Sequence, residues 1–285
     1  MKTTVLFQRR CCQIGTALAF IAIPFLNLRN ITVLFGNFLS FNMAGLPLAD
    51  PLAVLQTLAA GFPAFVSLAG AGASLLISLV LGRIFCSWIC PYGFFSEILH
   101  TLGKNRRRKG AALPDPVSSS QAGRLKNSAA HASACRFFVA STGMLAVLFF
   151  LPGPFLNQLS MPGWYSRALQ QGIFSGVLLV GALCLPCMLF LEAVSGKRLW
   201  CRWLCPQSVL IALAASFPRG LKVRFSPKKC SCGGNDRPCL SACSLEINPR
   251  AETTVQRLAC TNCGDCVDAC RGRGKALTFS FRADQ

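Results

Sequence analysis

Apolar residues along this chain are gathered into four long runs, which segments rich in polar and charged residues separate. The runs cover residues 11–28, 61–81, 137–156 and 172–194. A helix needs about 20 apolar residues to cross a bilayer, and each run is close to that length. The runs are apolar on all sides, whereas a core helix of a soluble bundle keeps a polar face. The pattern predicts four transmembrane helices in a lipid bilayer.

Positive charge is distributed unevenly around these predicted helices. The chain carries 29 Lys and Arg residues against 10 Asp and Glu, a net charge of +19. When the loops are assigned to alternate sides, 27 of the basic residues fall on the side of the termini, and only Arg29 and Arg167 fall on the other. Because basic loops stay in the cytoplasm, both termini are predicted to be cytoplasmic, in a bacterial inner membrane. Anionic lipid headgroups account for the charge, and without a recognition motif we expect no nucleic acid partner.

A ten-residue unit occurs twice, once after the second apolar run and once after the fourth. Residues 82–91 read GRIFCSWICP, and residues 197–206 read KRLWCRWLCP. The repeat predicts two duplicated helical hairpins, with both copies at the same membrane surface. Two cysteines four residues apart share one face of a helix, so the two pairs are expected to form one site. Its cysteines are Cys86, Cys90, Cys201 and Cys205.

The residues leave open what this repeat site holds. An iron–sulfur cluster, another metal and a reversible thiol pair are all compatible with two Cys-x3-Cys-Pro units. Free cysteine is also often buried simply as a small apolar residue, but recurrence of the whole ten-residue unit favours a chemical role.

The tail of the chain carries cysteines in a different pattern. Residues 260–270 hold four cysteines at spacings x2, x2 and x3, which wrap three thiolates around one cubane cluster and send the fourth to another. A zinc site would need separated Cys pairs or Cys with His, and the chain has only 2 histidines. A second, irregular run lies upstream. The predicted ligands are Cys243, Cys260, Cys263 and Cys266 for one [4Fe-4S] cluster, and Cys230, Cys232, Cys239 and Cys270 for the other.

Together these patterns predict an all-α membrane protein with a small C-terminal domain. Residues 1–215 are expected to form a four-transmembrane-helix bundle, and residues 216–285 an α+β ferredoxin-like domain with two [4Fe-4S] clusters. Cys230 and Cys232 are only one residue apart, which strains a wrap around a cube. A three-iron cluster is therefore an alternative for the second group.

These features resemble the NapH-type membrane ferredoxins, a group that includes MauN and the membrane core of NosR. The likeness rests on Phe85-Cys-Ser-Trp-Ile-Cys-Pro91, on its second copy ending at Pro206, on the four apolar runs, on the tail cysteines and on residues 46–61. The irregular upstream run departs from the pattern, as does the lack of proline after the fourth cysteine of each run, where Ser244 and Arg271 stand. These departures favour a MauN-like branch.

The resemblance implies a quinol dehydrogenase component. Such a protein takes electrons from the membrane quinone pool and passes them to a periplasmic ferredoxin-type or cytochrome partner, in methylamine utilisation or periplasmic nitrate reduction. Quinol oxidation needs a proton acceptor beside a one-electron carrier. The candidates are Asp50, in a loop predicted to be periplasmic, and Glu97 and His100, just after the first Cys pair.

Two other functions stay open at this point. One is a membrane maturation factor that supports assembly of a partner's cofactor without sustained quinol turnover. The other is a thiol–disulfide relay through the two Cys-x3-Cys pairs, with the tail clusters as structural elements. The sequence therefore leaves open whether the protein is an enzyme.

Overall fold

The computed structural model describes most of the chain, apart mainly from the segment between the two predicted hairpins and most of the third predicted span. The described residues are 5–29, 34–37, 40–43, 46–61, 65–110, 139, 142–143, 146–147, 160–175, 180–201, 205–217, 220–232, 238–245, 247–251 and 258–281.

Helices dominate the described part of the chain, and they fall into a set before residue 216 and a set in the tail. The first set is α1 Val5–Leu28, α2 Pro51–Ala59, α3 Phe65–Leu81, α4 Pro91–Gly110, α5 Met161–Ser175, α6 Val180–Ser195 and α7 Pro206–Ala215. The tail set is α8 Pro238–Ala242 and α9 Asp265–Cys270.

The four predicted spans correspond only in part to these helices. The first run lies within α1, and the second ends with α3 at Leu81. The third run, 137–156, lies almost wholly outside the described residues. Among the described helices, one stretch, Val5–Leu26, is long and apolar enough by itself to cross a bilayer, and the other apolar helices are shorter.

The fourth run differs from its prediction. Residues 172–175 end α5 and residues 180–194 belong to α6, and the two helices pack against each other. Hydropathy did not separate the two helices, because the residues of both are mostly apolar here.

The all-α prediction for residues 1–215 is wrong in one segment, which forms a three-stranded antiparallel sheet. Its strands are β1 Leu34–Asn37, β2 Ser40–Met43 and β3 Leu46–Ala49, in sequence order. Only two residues separate consecutive strands, a length typical of β-hairpins. The sheet packs against α1 and α3, so these parts of the predicted loop form strands that contact the helices.

Proline starts the helices that surround the repeat units. Pro51, Pro91 and Pro206 each open a helix, a position where the missing N–H costs nothing and the fixed φ is already helical. Pro91 and Pro206 therefore end the Cys-bearing turn and also begin α4 and α7.

Helices of the two repeat halves pack across each other. The helix after the first repeat unit, α4, packs against α6, which leads into the second unit. The helix after the second unit, α7, packs against α3, which leads into the first. This packing brings the two repeat units side by side.

The tail folds as two short helices against a two-stranded sheet. Strand β4, Lys222–Phe225, pairs antiparallel with β5, Leu277–Ser280, and α8 packs against α9. Its core joins Val223, Ala276 and Leu277 to several of the cysteines. The start of α1 contacts α9, where the backbone N–H groups of Val5 and Leu6 donate to Asp268.

Candidate functional site

Each repeat unit forms the same unusual turn. The N–H of Cys90 donates to the carbonyl of Phe85 at 2.9 Å, and the N–H of Cys205 donates to the carbonyl of Trp200 at 3.0 Å. Both are bonds to the fifth preceding residue, the pattern of a π-helical turn, which is rare and frequent at functional sites. This wider turn places residues four apart almost above one another, so both cysteines of a unit lie on the same side.

The four repeat cysteines lie together in the bundle. Cys90 and Cys205 are buried in one cluster with Cys201 at its edge. Burial raises the pKa of each of these three thiols, to about 11 for Cys201, and the charges of the other repeat cysteines, Cys86 included, raise it further. Because thiolates interact this way only at short range, the structure brings both Cys pairs to one place.

Four thiolates are the ligand set of a [4Fe-4S] cluster, and they are also a possible ligand set for a single tetrahedral ion. A tetrahedral ion bound at about 2.3 Å needs sulfur atoms about 3.8 Å apart, and no group of three or more His, Cys, Asp or Glu among the described residues can hold a single metal ion. In a cubane each thiolate binds a different iron, so the sulfurs stand further apart. Iron also supplies the positive charge that a buried thiolate needs.

Two buried arginines connect the repeat cysteines to the tail. Arg83 and Arg198 occupy the same position in the two units, and each is 4% exposed. Arg83 Nη1 donates to the carbonyl of Leu258 at 2.6 Å. Arg198 Nη1 donates to Ser244 Oγ at 3.2 Å, and its Nη2 lies 3.9 Å from Cys201 Sγ.

The charges of both arginines reach cysteines of the bundle and of the tail. Arg83 stabilises the thiolates of Cys205 and Cys260, and Arg198 interacts with those of Cys201 and Cys263. The arginines therefore lie between the repeat site and the tail cysteines. Both arginines occupy the same position of the repeat unit, and this identity is the sequence signal that could have indicated their role.

The first predicted group of tail cysteines comes together around a cavity. The cavity is lined by Cys243, Cys260, Cys263 and Cys266. Burial raises the pKa of Cys260 to about 11. Burial also raises the pKa of Cys266, and the neighbouring thiolates, including Cys243, raise it further. Cys243 comes from the upstream run, so the structure pairs the two runs in the crossed manner that the spacing predicts.

The second predicted group also lies in one region. Cys239 and Cys270 are buried in the tail core, with Cys230 packed against them. Cys232 lies beside Cys230. Arg250 Nε donates to Cys239 Sγ at 3.4 Å, a contact that the sequence gave no means of finding, since eleven residues separate the two.

The loop of the first tail group is held directly against the end of α3. Ser87 Oγ donates to the carbonyl of Thr261 at 2.6 Å, and Trp88 Nε1 donates to the carbonyl of Asn262 at 3.2 Å. Asn262, at a positive φ of 51°, donates in turn to the carbonyls of Leu81 and Leu221. Residues between the two cysteines of the first unit thus position the first tail group.

Glu97 lies in an ion-pair network at the start of α1. It pairs with Arg9, which is fully buried, and with Arg10 at 2.9 Å. Arg9 also pairs with Asp265 at 2.8 Å and donates to the carbonyl of Cys263 at 3.0 Å. The network connects α1, α4 and the tail. His100, one helical turn further along α4, is partly buried.

Asp50 caps α2 and lies closer to the repeat site than its predicted loop suggests. Its Oδ1 accepts from Gln207 Nε2 at 3.0 Å, and Gln207 is two residues beyond Cys205. Asp50 is 6% exposed, and its Oδ2 has no hydrogen-bond partner. Burial raises its pKa to about 6, although hydrogen bonds from Leu52 and Gln207 oppose the shift.

Comparison with protein families supports cluster binding in the bundle. A family model described as a 4Fe-4S binding domain matches residues 63–110 and 176–224. The two matches are the two halves of the repeat, and each contains one Cys-x3-Cys-Pro unit. The duplication seen in the sequence is thus recovered as two copies of one domain. No solved structure matches the chain significantly.

Several characterised proteins are similar over most of the chain. The ferredoxin-type protein NapH of Escherichia coli K12 is 29% identical over 93% of this chain and 86% of its own length. The methylamine utilization ferredoxin-type protein MauN of Paracoccus denitrificans is 31% identical, over 82% and 74%. MauN of Methylorubrum extorquens is 30% identical, over 95% and 80%.

The grouped cysteines, the matched 4Fe-4S domains and these relatives define an iron–sulfur electron-transfer protein of the ferredoxin type. The chain belongs to the family of ferredoxin-type proteins that NapH and MauN represent.

Proposed function

We propose that this protein takes electrons from a membrane hydroquinone and passes them through bundle and tail clusters toward a periplasmic redox partner. The observation that carries the proposal is that three groups of cysteines lie next to one another, one in the bundle and two in the tail. The repeat site adjoins the first tail group through Arg83 and Arg198. The first tail group shares a core with the second.

Each group supplies four thiolates, the ligand set of a [4Fe-4S] cluster. The tail groups would hold two clusters, with Cys243 and Cys270 as the crossed ligands. The repeat cysteines would hold a third, for which the two matches to a 4Fe-4S binding domain are the support. A bound cluster would supply one-electron redox chemistry.

The charges of the protein around these sites favour electron transfer between them. Arg83 and Arg198 place two cations between the repeat site and the tail, which offsets the negative charge of nearby thiolates. Asn262 and Arg9 fix the loop of the first tail group against the bundle. Rigid positioning of neighbouring centres keeps their separation constant during turnover.

Hydroquinone is the proposed donor because apolar helices lead into both repeat units, which suits a site at a membrane surface. Oxidation of one hydroquinone to quinone releases two electrons and two protons, and a cluster accepts one electron at a time. More than one centre is therefore needed to accept both electrons of one hydroquinone. Several connected centres meet that requirement.

A proton acceptor is also needed, and Asp50 fits best among the three candidates from the sequence. It combines burial, an unpartnered Oδ2 and a pKa of about 6. Glu97 is engaged by two arginines. His100 lies on the same helix as Glu97, one turn further from the first Cys pair.

The membrane placement of the protein is part of the proposal. We place it in a bacterial inner membrane with both termini and the tail in the cytoplasm, from the distribution of Lys and Arg. The start of α1, the end of α3 and the end of α6 all contact the tail, as expected if these ends share one side. The pathway served is methylamine utilisation or periplasmic nitrate reduction.

Iron quantification on anaerobically purified protein tests the cluster assignment. We expect about twelve irons per chain if all three groups hold cubanes. Cys263→Ser should remove one tail cluster, and Cys201→Ser should remove the repeat cluster, each with loss of about four irons. Cys187→Ser, at an exposed free thiol of α6, is the control. A wild-type value of about eight that Cys201→Ser leaves unchanged would contradict a cluster in the bundle.

A further inference from the structure

Three buried side chains beside the second Cys pair carry polar atoms without a hydrogen-bond partner. The atoms are Tyr92 OH, Glu192 Oε2 and Trp200 Nε1. Their residues are between 1% and 7% exposed. Native proteins pair nearly all such groups, and each exception calls for an explanation. The number of exceptions in one region indicates that a polar ligand belongs there.

These side chains come from different elements and converge on one place. Tyr92 and Trp200 pack in the same buried cluster as Cys90 and Cys205. Glu192, on α6, accepts from the backbone N–H of Trp200 through Oε1 at 2.9 Å, which leaves Oε2 for another donor. The Tyr92 hydroxyl lies beside this carboxylate at less than full hydrogen-bond geometry. Burial raises its pKa most, and the charge of Glu192 and this partial hydrogen bond raise the pKa further.

The chemistry of the cluster matches a ring that carries oxygens at its edge. Glu192 offers an acceptor, Trp200 offers a donor, and Tyr92 can do either. The walls are aromatic and aliphatic: Phe85, Leu185, Met188 and Leu189 pack around the cluster. Methionine adapts to ligands of irregular shape. Neighbouring residues of α6, among them Leu183 and Phe190, are exposed apolar side chains, which suits a ligand that arrives from lipid.

Asp50, proposed above as a proton acceptor, offers a less complete set of partners for binding the ring itself. Among the described residues of β3, α2, α3 and α7, the elements packed around it, only Asp50 itself has a buried side-chain polar atom without a partner. A hydroquinone donates hydrogen bonds and its quinone product accepts them, so a site that handles both needs acceptors and donors. The Glu192 cluster has both.

We propose that Glu192, Tyr92 and Trp200 bind the head group of a membrane hydroquinone next to Cys201. This assignment rests on the proposed function and names its substrate subsite. The carboxylate of Glu192 accepts a hydrogen bond from a ring hydroxyl. Tyr92 and Trp200 donate to the oxygen of the quinone form.

Binding of a hydroquinone-site probe tests the subsite without relying on turnover. The probe is 2-heptyl-4-hydroxyquinoline N-oxide, whose fluorescence is quenched when it binds, added to full-length protein in detergent. Loss of a hydrogen bond to a charged group should weaken binding about tenfold or more in Glu192→Gln, and loss of a neutral one about fivefold in Tyr92→Phe. Both variants keep the size of the side chain, and Glu192→Gln keeps an acceptor for Trp200 N.

The second tyrosine of the chain is a matched control. Tyr165, whose hydroxyl donates to the carbonyl of Ala17 at 3.3 Å, lies on α5, and Tyr165→Phe should bind the probe like the wild type. Asp50→Asn tests the alternative site at Asp50. If it weakens binding while Glu192→Gln and Tyr92→Phe do not, the site lies at Asp50 and the assignment is overturned.

The same proteins separate failure of the subsite from failure of the proposed donor. If menadiol reduces the wild-type clusters and the probe binds equally to all variants, the subsite is wrong and the donor assignment stands. If the clusters are reduced by dithionite but not by menadiol, and the wild type does not bind the probe, the donor assignment fails and the subsite fails with it.

Discussion

Burial of Asp50 couples the protonation of one carboxyl to the stability of the fold. Its pKa is about 6 in the folded protein, above the ordinary value of 3.8, mainly because burial disfavours the charged form. The folded state therefore holds the proton more tightly than the unfolded state does. As the pH rises from about 4 to above 6, this carboxyl reduces the free energy of unfolding by about 3 kcal/mol.

Asp50→Asn should remove that pH dependence. Asparagine can still cap α2 and accept from Gln207, and it carries no charge to desolvate. We expect the variant to be more stable than the wild type at pH 8 and similar at pH 4.5, measured as thermal unfolding midpoints in detergent. A stability difference that is the same at both pH values would show that Asp50 does not titrate in this range.

At the scale of residues, the cysteines of each predicted group lie near one another in the structure, while their role as ligands stays a prediction. The partners of the charged groups could not be predicted from the sequence. Glu192 and Arg250 gave no signal there, because their roles depend on contacts between distant segments. Glu97 looked like a free acid in the sequence, and only the fold shows Arg9 and Arg10 beside it.

At the scale of elements, a tight turn holds the two parts of the second tail group together. Gly274 has a φ of +86°, and an added Cβ would collide with the backbone carbonyl of Lys229. This close approach sets the turn after Cys270 against the 3-10 turn Pro227–Lys229, which leads to Cys230 and Cys232.

Gly274→Ala should therefore disturb the second tail group while leaving the first in place. Both the left-handed backbone and the collision oppose the new side chain. We expect loss of up to four irons per chain, with the spectrum of the first tail cluster retained. Gly272→Ala is a matched control in the same turn, since nothing lies within 4 Å of its added Cβ. Equal iron contents in the two variants would contradict this account of the turn.

The arginine of the second repeat unit connects α6, α4 and the tail. Arg198 donates to Ser96 Oγ, the carbonyl of Gly93 and Ser244 Oγ. Removal of a buried charged partner typically costs about 3–5 kcal/mol, so the contact between tail and bundle should weaken strongly when Arg198 is lost.

Arg198→Gln should release the tail from the bundle. Limited proteolysis in the segment before β4 should become faster than in the wild type, and the reduction potential of the repeat centre should fall because a nearby cation is lost. Lys197→Gln removes the same charge from the adjacent exposed position and should change neither property. If both variants are cleaved at the wild-type rate, Arg198 does not hold the tail.

Elements were predictable where hydropathy or proline marks them. The first apolar run and α1 agree, and Pro91 and Pro206 mark the starts of α4 and α7. The three short strands were missed because each has only four residues, within a segment of mixed polarity. The division between α5 and α6 was missed because the residues on both sides of it are apolar.

At the scale of the whole molecule, the internal repeat was the most informative feature. It predicted that two distant Cys pairs meet, and the packing of α4 and α7 across the two halves is the physical means. This packing could not be read from the sequence, because it depends on which helix surfaces meet. The family match to each half then gives the repeat a cluster-binding character that the residues alone left open.

The series of centres also predicts an order of reduction. If hydroquinone delivers electrons at the repeat site, loss of that centre should isolate the tail clusters from the donor. Dithionite, a soluble reductant, should still reduce the tail clusters directly. This difference separates a membrane electron-transfer protein from a maturation factor whose clusters are fed by another protein.

The most direct test is EPR of anaerobically purified protein before and after addition of menadiol, in the wild type and in Cys201→Ser. The account predicts that menadiol reduces the tail clusters of the wild type, and that Cys201→Ser keeps tail clusters that respond to dithionite but not to menadiol. Tail clusters that menadiol reduces equally well in both proteins would contradict an electron path through the repeat site. Wild-type clusters indifferent to menadiol would contradict hydroquinone as the donor.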